Sequence, residues 1–205
     1  MKTEILKIKG SWEDVVNDCR NTVSKGELGR EPSSEFKKTI LIAEHSPIRN
    51  LSARFRWADI KYWVAMHWKT HMWPSNVNTQ RNDRQNNYDR DKAPQDSPVT
   101  FIGEMNAQHT IDTMRKRLCR QAAPETRELA EDFKDELKES QPEWADVLVP
   151  NCIYRCGCPE KNGCGYFKAV CTRDIDCMSI NIRTRYEAYN RIYREDRAKK
   201  KEAIT

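Results

Sequence analysis

The chain has 205 residues, of which 33% are charged and 38% hydrophobic, with a formal net charge of +5 at pH 7. This length suits one good-sized core, or a core with an appendage. Six Trp, seven Tyr and five Phe residues exclude a disordered chain, because disordered segments are poor in aromatic residues. The 36 basic residues are nearly balanced by 31 acidic ones, so we do not expect nucleic-acid binding from charge alone.

The N-terminal text MKTEILKIKGSWED contains no apolar stretch of the roughly 7 to 15 residues that a secretory signal needs. No window of the sequence approaches the apolar length of a membrane span. We therefore expect a cytoplasmic protein that does not associate with membranes. Its eight cysteines should then be mostly reduced or metal-bound. The low apolar fraction also suggests that the core is completed by oligomerisation.

The first half of the chain predicts two helices, a strand and a third helix. Ser11 is typical of a helix N-cap, and the serine pair at 33–34 precedes a second helix. That helix should end before Pro47, because the residue before proline disfavours helical backbone. Apolar and polar residues alternate up to Trp57, which predicts a strand within 49–57. Helical spacing returns from Ile60 onwards.

The polar, turn-rich stretch 81–98 shows neither helical nor strand periodicity, and we predict a long loop there. Loops of that length inside compact domains are usually functional lids or disordered segments.

A pair of helices is predicted over 105–133. Three apolar residues at helical spacing indicate that the first helix packs on a core: Ile111, Met114 and Leu118. Pro124 cannot continue that helix, which should end near 120–122, and should lie in the first turn of the next one. A cationic corner results at the junction, formed by Arg117, Arg120 and Arg127.

The C-terminal stretch is rich in cysteine, with six cysteines between positions 152 and 177. Four thiolates can bind zinc tetrahedrally, and the candidate ligands are Cys152, Cys156, Cys158 and Cys164. Because no CxxC pair is present, reduced or disulfide-linked cysteines remain alternatives. From about residue 184 the charged sequence predicts a solvated helix with a frayed end.

Three ordered groups of residues resemble the pattern of the flavin-dependent thymidylate synthases, the ThyX family. The family signature reads Arg-His-Arg, seven residues, Ser, one residue and Arg. Its spacing is kept by Lys69, Thr70 and His71, followed by Thr79, Gln80 and Arg81. The residue types differ from those of the signature. His71 replaces its second arginine and would be charged only in part at neutral pH.

Two further spacings follow in the same order as in the family. An Arg, a Pro four residues later and an Asn twelve residues after that correspond to Arg90, Pro94 and Asn106. An activating Arg eleven residues after that Asn, and a Glu eight further on, correspond to Arg117 and Glu125. The segment EHSPIRN around Ser46 is similar to a flavin-side segment of the family. The resemblance covers roughly residues 35 to 150.

The resemblance implies reductive methylation of dUMP to dTMP, with FAD as the hydride carrier and with NADPH and methylenetetrahydrofolate as co-substrates. It also implies a homotetramer with active sites between subunits. Arg117 would be the catalytic residue, by stabilising negative charge on the uracil. The implied dUMP contacts are Thr79, Gln80, Arg81, Arg90 and Arg117. The implied FAD contacts are Ser46, Lys69, Thr70, His71, Asn106, Asp112 and Gln121.

We therefore expect a ThyX-like α+β fold that is mostly helical, with a small mixed β-sheet. It would occupy residues 1–150, followed by the Cys-rich segment and charged helix over 151–205. One alternative is a zinc-stabilised nucleic-acid-binding module, suggested by the cysteines and by Tyr186, Tyr189 and Tyr193 among basic residues. Another is a ThyX relative that transfers a different one-carbon group to a pyrimidine nucleotide.

Overall fold

The computed structural model describes residues 2–78, 81–84 and 89–203. Within these ranges a four-stranded sheet has the order β1-β2-β4-β3. Its strands are β1 Lys2–Lys9, β2 Ser52–Lys61, β3 Ser75–Val77 and β4 Pro98–Asn106. The expected α+β fold with dominant helices is confirmed. The sheet is antiparallel at every described pairing, however, and not mixed.

Helices precede, separate and follow the strands. Those before β4 are α1 Trp12–Asn21, α2 Ser34–Ile42 and α3 Tyr62–Lys69, and a 3-10 turn covers Ser46–Asn50. Those after β4 are α4 Ala107–Arg117, α5 Pro124–Ser140, α6 Pro142–Asp146, α7 Asn151–Tyr154, α8 Tyr166–Arg173 and α9 Ile182–Glu202. The predicted caps are confirmed at Ser11 and Ser33, whose hydroxyls accept backbone N–H bonds at 3.0 and 3.2 Å. None of the described helices is long and apolar enough to cross a membrane.

Strand β2 forms the centre of the core. Phe55 and Trp57 are fully buried, with ring centroids 4.5 Å apart. Opposite Phe55 stands Gly103, where a Cβ would lie 2.5 Å from the Phe55 ring and 2.6 Å from the Trp73 ring. Only glycine therefore leaves room for these aromatic rings. The strand continues to Lys61, past the predicted end, because a bulge with Asp59 at φ +56 re-registers it.

Strand β1 was not predicted. Its sequence, KTEILKIK, carries charges on a mostly exposed sheet edge and shows only weak alternation. The described parts of the predicted loop, 81–84 and 89–97, contain turns without strand or helix. The loop prediction is confirmed for those residues.

The prediction of a solvated C-terminal helix is wrong for one face of α9. Tyr186, Tyr189 and Tyr193 are only 4%, 2% and 8% exposed. The hydroxyl of Tyr193 donates to Asp135 of α5 at 2.8 Å. Three tyrosines at helical spacing form an apolar stripe in a charged sequence, and that stripe packs inward. One continuous core cluster consequently includes residues from both sides of position 150.

Helix α5 joins that core through a buried lysine. The Lys134 ammonium group donates to the carbonyl of Leu148 and to the side-chain oxygen of Asn190, both at 2.7 Å. Burial lowers the pKa of Lys134 to about 7. The contact ties α5, α9 and the segment after α6 together.

Candidate functional site

Arg117, the last residue of α4, meets the C-terminal end of α3. Its Nε donates to Nε2 of His71 at 2.8 Å, across 46 positions of the sequence. Its Nη2 donates to the carbonyl of His67 at 2.7 Å and to the hydroxyl of Thr70 at 3.4 Å. The guanidinium carbon lies 5.8 Å from the ring centroid of Trp68, which is fully buried. The predicted activating arginine and the signature-like segment are therefore in direct contact.

Local structure explains this contact. Helix α3 ends at Lys69, and the Thr70 hydroxyl donates to the carbonyl of His67 at 2.7 Å. Met72 then takes φ +59, which turns the chain sharply towards Trp73 and β3. His71 is left at the outside of this turn, facing α4.

Arg117 is a half-buried cation. Burial lowers its pKa, and among the described residues no carboxylate pairs with it. A cation without an opposite charge is costly to bury, so an anionic group is the natural complement of this position. The two N–H groups of Nη1 donate to no acceptor within the described part of the chain.

His71 is neutral in this arrangement. Burial, followed by the charges of Arg117 and Lys116, lowers its pKa to about 4. Its Nε2 accepts from Arg117, so the ring proton sits on Nδ1. The expectation of a partly charged His71 at neutral pH is wrong, because burial disfavours the protonated ring and the neighbouring charge of Arg117 repels it.

Two further predicted FAD contacts, Asn106 and Asp112, lie at the start of α4 and within it. Asn106 is its N-cap, with the side-chain oxygen accepting from the backbone N–H of His109 at 2.8 Å. Asn106 and Arg117 are separated by about 16 Å at 1.5 Å per helical residue. Asp112 lies between them and accepts from Gln108 at 3.2 Å. A ligand touching both ends of α4 must therefore be extended.

The remaining predicted FAD contacts lie near the two ends of α4. Ser46 is exposed and begins the 3-10 turn that follows Glu44, and Glu44 accepts from Gln108 at 2.6 Å. Lys69 is exposed at the end of α3. Gln121, at the other end, donates to the carbonyl of Asn162 at 2.6 Å.

The predicted phosphate-binding residues are not joined to Arg117 by the described contacts. Thr79 and Gln80 lie outside the described residues. Arg81 is exposed and forms an ion pair with Asp83, with Nε and Oδ1 2.9 Å apart. Arg90 is exposed, and its backbone N–H donates to Asn82 at 2.9 Å.

A cavity of about 340 Å³ opens beside Arg117. Its basic lining comes from the last turn of α4 and the following residues: Arg115, Lys116, Arg117 and Arg120. Of the predicted cationic corner, Arg120 lies over the ring of Tyr166 at 4.7 Å, and Arg127 donates to the Arg120 carbonyl at 3.3 Å. Lys116 and Cys119 were not predicted as site residues. Their only signal was sequence proximity to Arg117 near a helix end.

The four predicted zinc ligands are divided in the structure. Cys152, Cys158 and Cys164 line the cavity, whereas the Cys156 thiol donates to the carbonyl of Met178 at 3.4 Å. Within the described residues, no three His, Cys, Asp or Glu side chains stand at the separations of a formed metal site.

No protein-family model matches the sequence, and no curated protein does. Solved structures do match the fold. A structure of ThyX from Helicobacter pylori, complexed with FAD and dUMP, has a TM-score of 0.61 at 14% identity, covering 73% of this chain and 100% of that one. A second structure of that enzyme with FAD and dUMP has a TM-score of 0.60 at 15% identity, covering 72% and 99%. The chain has the ThyX fold.

The UMP/dUMP methylase PolB from Streptomyces cacaoi, bound with 5-Br dUMP, is also similar. Its TM-score is 0.59 at 12% identity, and the match covers 71% of this chain and 93% of the methylase. These structural matches establish the ThyX-like fold. Because the sequence identities are low, the reaction must be argued from the site.

Proposed function

We propose that this protein is a ThyX-like enzyme that methylates dUMP with FAD as its cofactor. The observation that carries the proposal is the half-buried Arg117, held by Thr70 and His71 and unpaired with any described carboxylate. Structural neighbours of the same fold are described as binding FAD and dUMP, which supports the choice of ligands. The spacing of the signature-like segment supports it independently.

Arg117 would bind the pyrimidine. An always-charged, planar guanidinium with free Nη1 donors suits a carbonyl oxygen on which negative charge develops. Stabilising that charge makes C5 of the uracil nucleophilic without an enzyme thiol. The neutral ring of His71 fixes the plane of Arg117 and adds no competing charge.

The residues along α4 fit FAD. An extended cofactor matches the separation of about 16 Å between the two ends of α4. Bound FAD would supply the hydride of a reductive methylation. We propose Ser46, Lys69, Thr70, His71, Asn106, Asp112 and Gln121 as its contacts, and Thr79, Gln80, Arg81, Arg90 and Arg117 as those of dUMP.

The finer features of the reaction belong to the same proposal. NADPH would reduce the flavin, and methylenetetrahydrofolate would supply the carbon. A homotetramer in the cytoplasm is proposed from the family resemblance, and the 92% exposure of Met72 beside the site supports a covering subunit. Among the alternatives, the nucleic-acid module loses one of its supports, because its three tyrosines are buried.

The purified chain tests the proposal directly. We expect it to bind FAD and, with dUMP, methylenetetrahydrofolate and NADPH, to form a nucleotide heavier than dUMP by one CH2 unit, because a methyl group replaces a hydrogen. Mass spectrometry distinguishes this product from one carrying a different one-carbon group. A protein that binds neither FAD nor dUMP would contradict the proposal.

A further inference from the structure

Four cysteine thiols from three separate segments line the cavity beside Arg117. Cys119 lies in the turn between α4 and α5, Cys152 lies in α7, and Cys158 and Cys164 lie in the loop between α7 and α8. This set differs from the one that sequence spacing predicted, because Cys119 takes the place of Cys156. Cys119 is far from the others in sequence, and only the fold brings it to them.

The cysteine loop is fastened to the Cys119 turn. Gln121 donates to the carbonyl of Asn162, in the loop, at 2.6 Å. A Cβ at Gly163 would lie 3.0 Å from Sγ of Cys158, so the loop folds back and returns Cys164 towards Cys158.

The thiols also interact electrostatically. The pKa of Cys152 rises to about 12, first because the thiol is buried and then because Cys119, Cys158 and Cys164 lie near it.

The other cysteines form a different neighbourhood. Cys156 donates to Met178, and its thiol contributes to the raised pKa of Cys171. Cys171 in turn contributes to the raised pKa of Cys177, after burial. Cys19 lies 3.8 Å from Nδ1 of His45. The eight cysteines therefore sort into one group of four at the cavity and others elsewhere.

We propose that Cys119, Cys152, Cys158 and Cys164 bind one Zn²⁺ ion as a tetrathiolate site. Four thiolates in a tetrahedron are a preferred ligand set for a structural zinc. On binding, each thiol loses its proton to solvent and forms one Zn–S bond, which leaves a centre with a net charge of about −2. Lys116 and Arg120 line the same cavity and complement that charge.

The thiols surround the cavity without standing at ligand separation, so binding must draw them together. The geometry allows this because Cys158 and Cys164 are exposed. A Cβ at Gly157 or Gly165 would meet nothing within 4 Å, so the loop backbone has room to move. Cys152 is already fixed in α7. Closure would anchor the α4–α5 turn, two residues beyond Arg117, to the Cys-rich segment.

The metal content of the full-length protein tests the proposal. Wild type, Cys119→Ser and Cys158→Ser would be compared with the matched control Cys156→Ser by elemental analysis. We expect about one zinc ion per chain in wild type and in Cys156→Ser, and its loss in the other two variants. Zinc that persists in Cys119→Ser, or is lost in Cys156→Ser, overturns this ligand set. Iron with inorganic sulfide in place of zinc overturns the choice of ion.

A second measurement uses no variant, so it remains informative if the Cys→Ser variants fail to fold. Wild-type protein stripped of zinc would be titrated with Co²⁺, whose absorption reports the number of thiolate ligands and tetrahedral geometry. We expect the spectrum of a four-thiolate tetrahedral site, and a spectrum with fewer thiolates contradicts the proposal. Both measurements omit FAD and dUMP, so neither result depends on whether the proposed enzymatic function is correct.

Discussion

Arg117 combines two properties that rarely occur together on a helix surface. It is fixed by three protein acceptors, in His71, His67 and Thr70, and it lacks a described carboxylate partner. An ordinary surface arginine would be solvated or ion-paired, as Arg173 is with Asp196 at 2.8 Å. Fixing a cation costs side-chain entropy and desolvation, so its retention is more readily explained by a ligand than by stability.

Replacing Arg117 with Ala should reduce turnover of dUMP about 10²- to 10³-fold, as the loss of one charge-stabilising donor does in other enzymes. Flavin absorbance should be largely retained. The measurement is dTMP formation at saturating dUMP, with Arg56→Ala as the matched control. Arg56 pairs with Glu4 at the β1 edge of the sheet, at 2.5 Å. Unchanged turnover in Arg117→Ala would exclude the proposed role.

His71 should make the fold sensitive to acid. Its pKa is lowered to about 4 in the folded state, against 6.5 as its ordinary value. Between these values the unfolded chain binds the proton and the folded chain does not. His71 therefore contributes a loss of stability as pH falls from about 6.5 to about 4.

The variant His71→Gln keeps an acceptor for Arg117 and removes the titration. Denaturant unfolding of both proteins at several pH values should show a shallower acid loss for the variant in that window. Carboxylates contribute the same acid loss to both proteins, so the difference isolates His71. Parallel curves would mean that His71 titrates normally.

Helix α4 shows how much of an element can be predicted from sequence. Its apolar stripe and the break before Pro124 follow from periodicity and from the geometry of proline, and Ile111, Met114 and Leu118 are all buried as predicted. Its end was placed a few residues too late, because Leu118 to Ala123 form turns that periodicity does not distinguish from a last helical turn.

Strand β1 and the contact of Arg117 with His71 could not be predicted in this way. An edge strand rich in lysine has weak alternation, and a contact between two helix ends depends on packing that no local pattern encodes. The family resemblance identified the candidate site residues and their order in the sequence. Which of them are in contact depends on the turn at Met72.

The N-cap of α4 gives a prediction at this scale. Asn106→Ala removes the acceptor for the N–H of His109 and should lower the free energy of unfolding by about 1 kcal/mol. Asn106→Asp retains the capping oxygen and should be close to wild type. Chemical denaturation monitored by circular dichroism gives both values. Equal destabilisation by the two substitutions would show that the carboxamide matters for a reason other than capping.

At the scale of the whole molecule, the C-terminal helix should stabilise the rest of the chain. Tyr189 of α9 is 2% exposed within a core cluster that also contains residues before position 150. Replacing it with Ala should cost about 3 to 5 kcal/mol, the usual range for a large buried aromatic.

Tryptophan fluorescence reports whether the loss of stability caused by Tyr189→Ala extends to the region before α9. All six tryptophans lie between positions 12 and 144, so their signal comes from the region before α9. We expect Tyr189→Ala to lower the Trp-detected midpoint as much as the midpoint detected by circular dichroism. Glu187→Ala, at an exposed position of α9, is the control. An unchanged Trp midpoint would indicate that residues 1–150 and 151–205 unfold separately, as the predicted domain division implies.

The pairing of β2 has a consequence for how the chain reaches its fold. Phe55 pairs with Ile5 on one side and with Gly103 on the other, so both partners of the central strand are distant in sequence. Closing such long loops before any strand contact is gained makes folding slow. During synthesis, β2 can pair with β1 but must wait for β4 to emerge. Until then the aromatic face of β2 is open, and this stage is the one at which the chain would be most prone to aggregate.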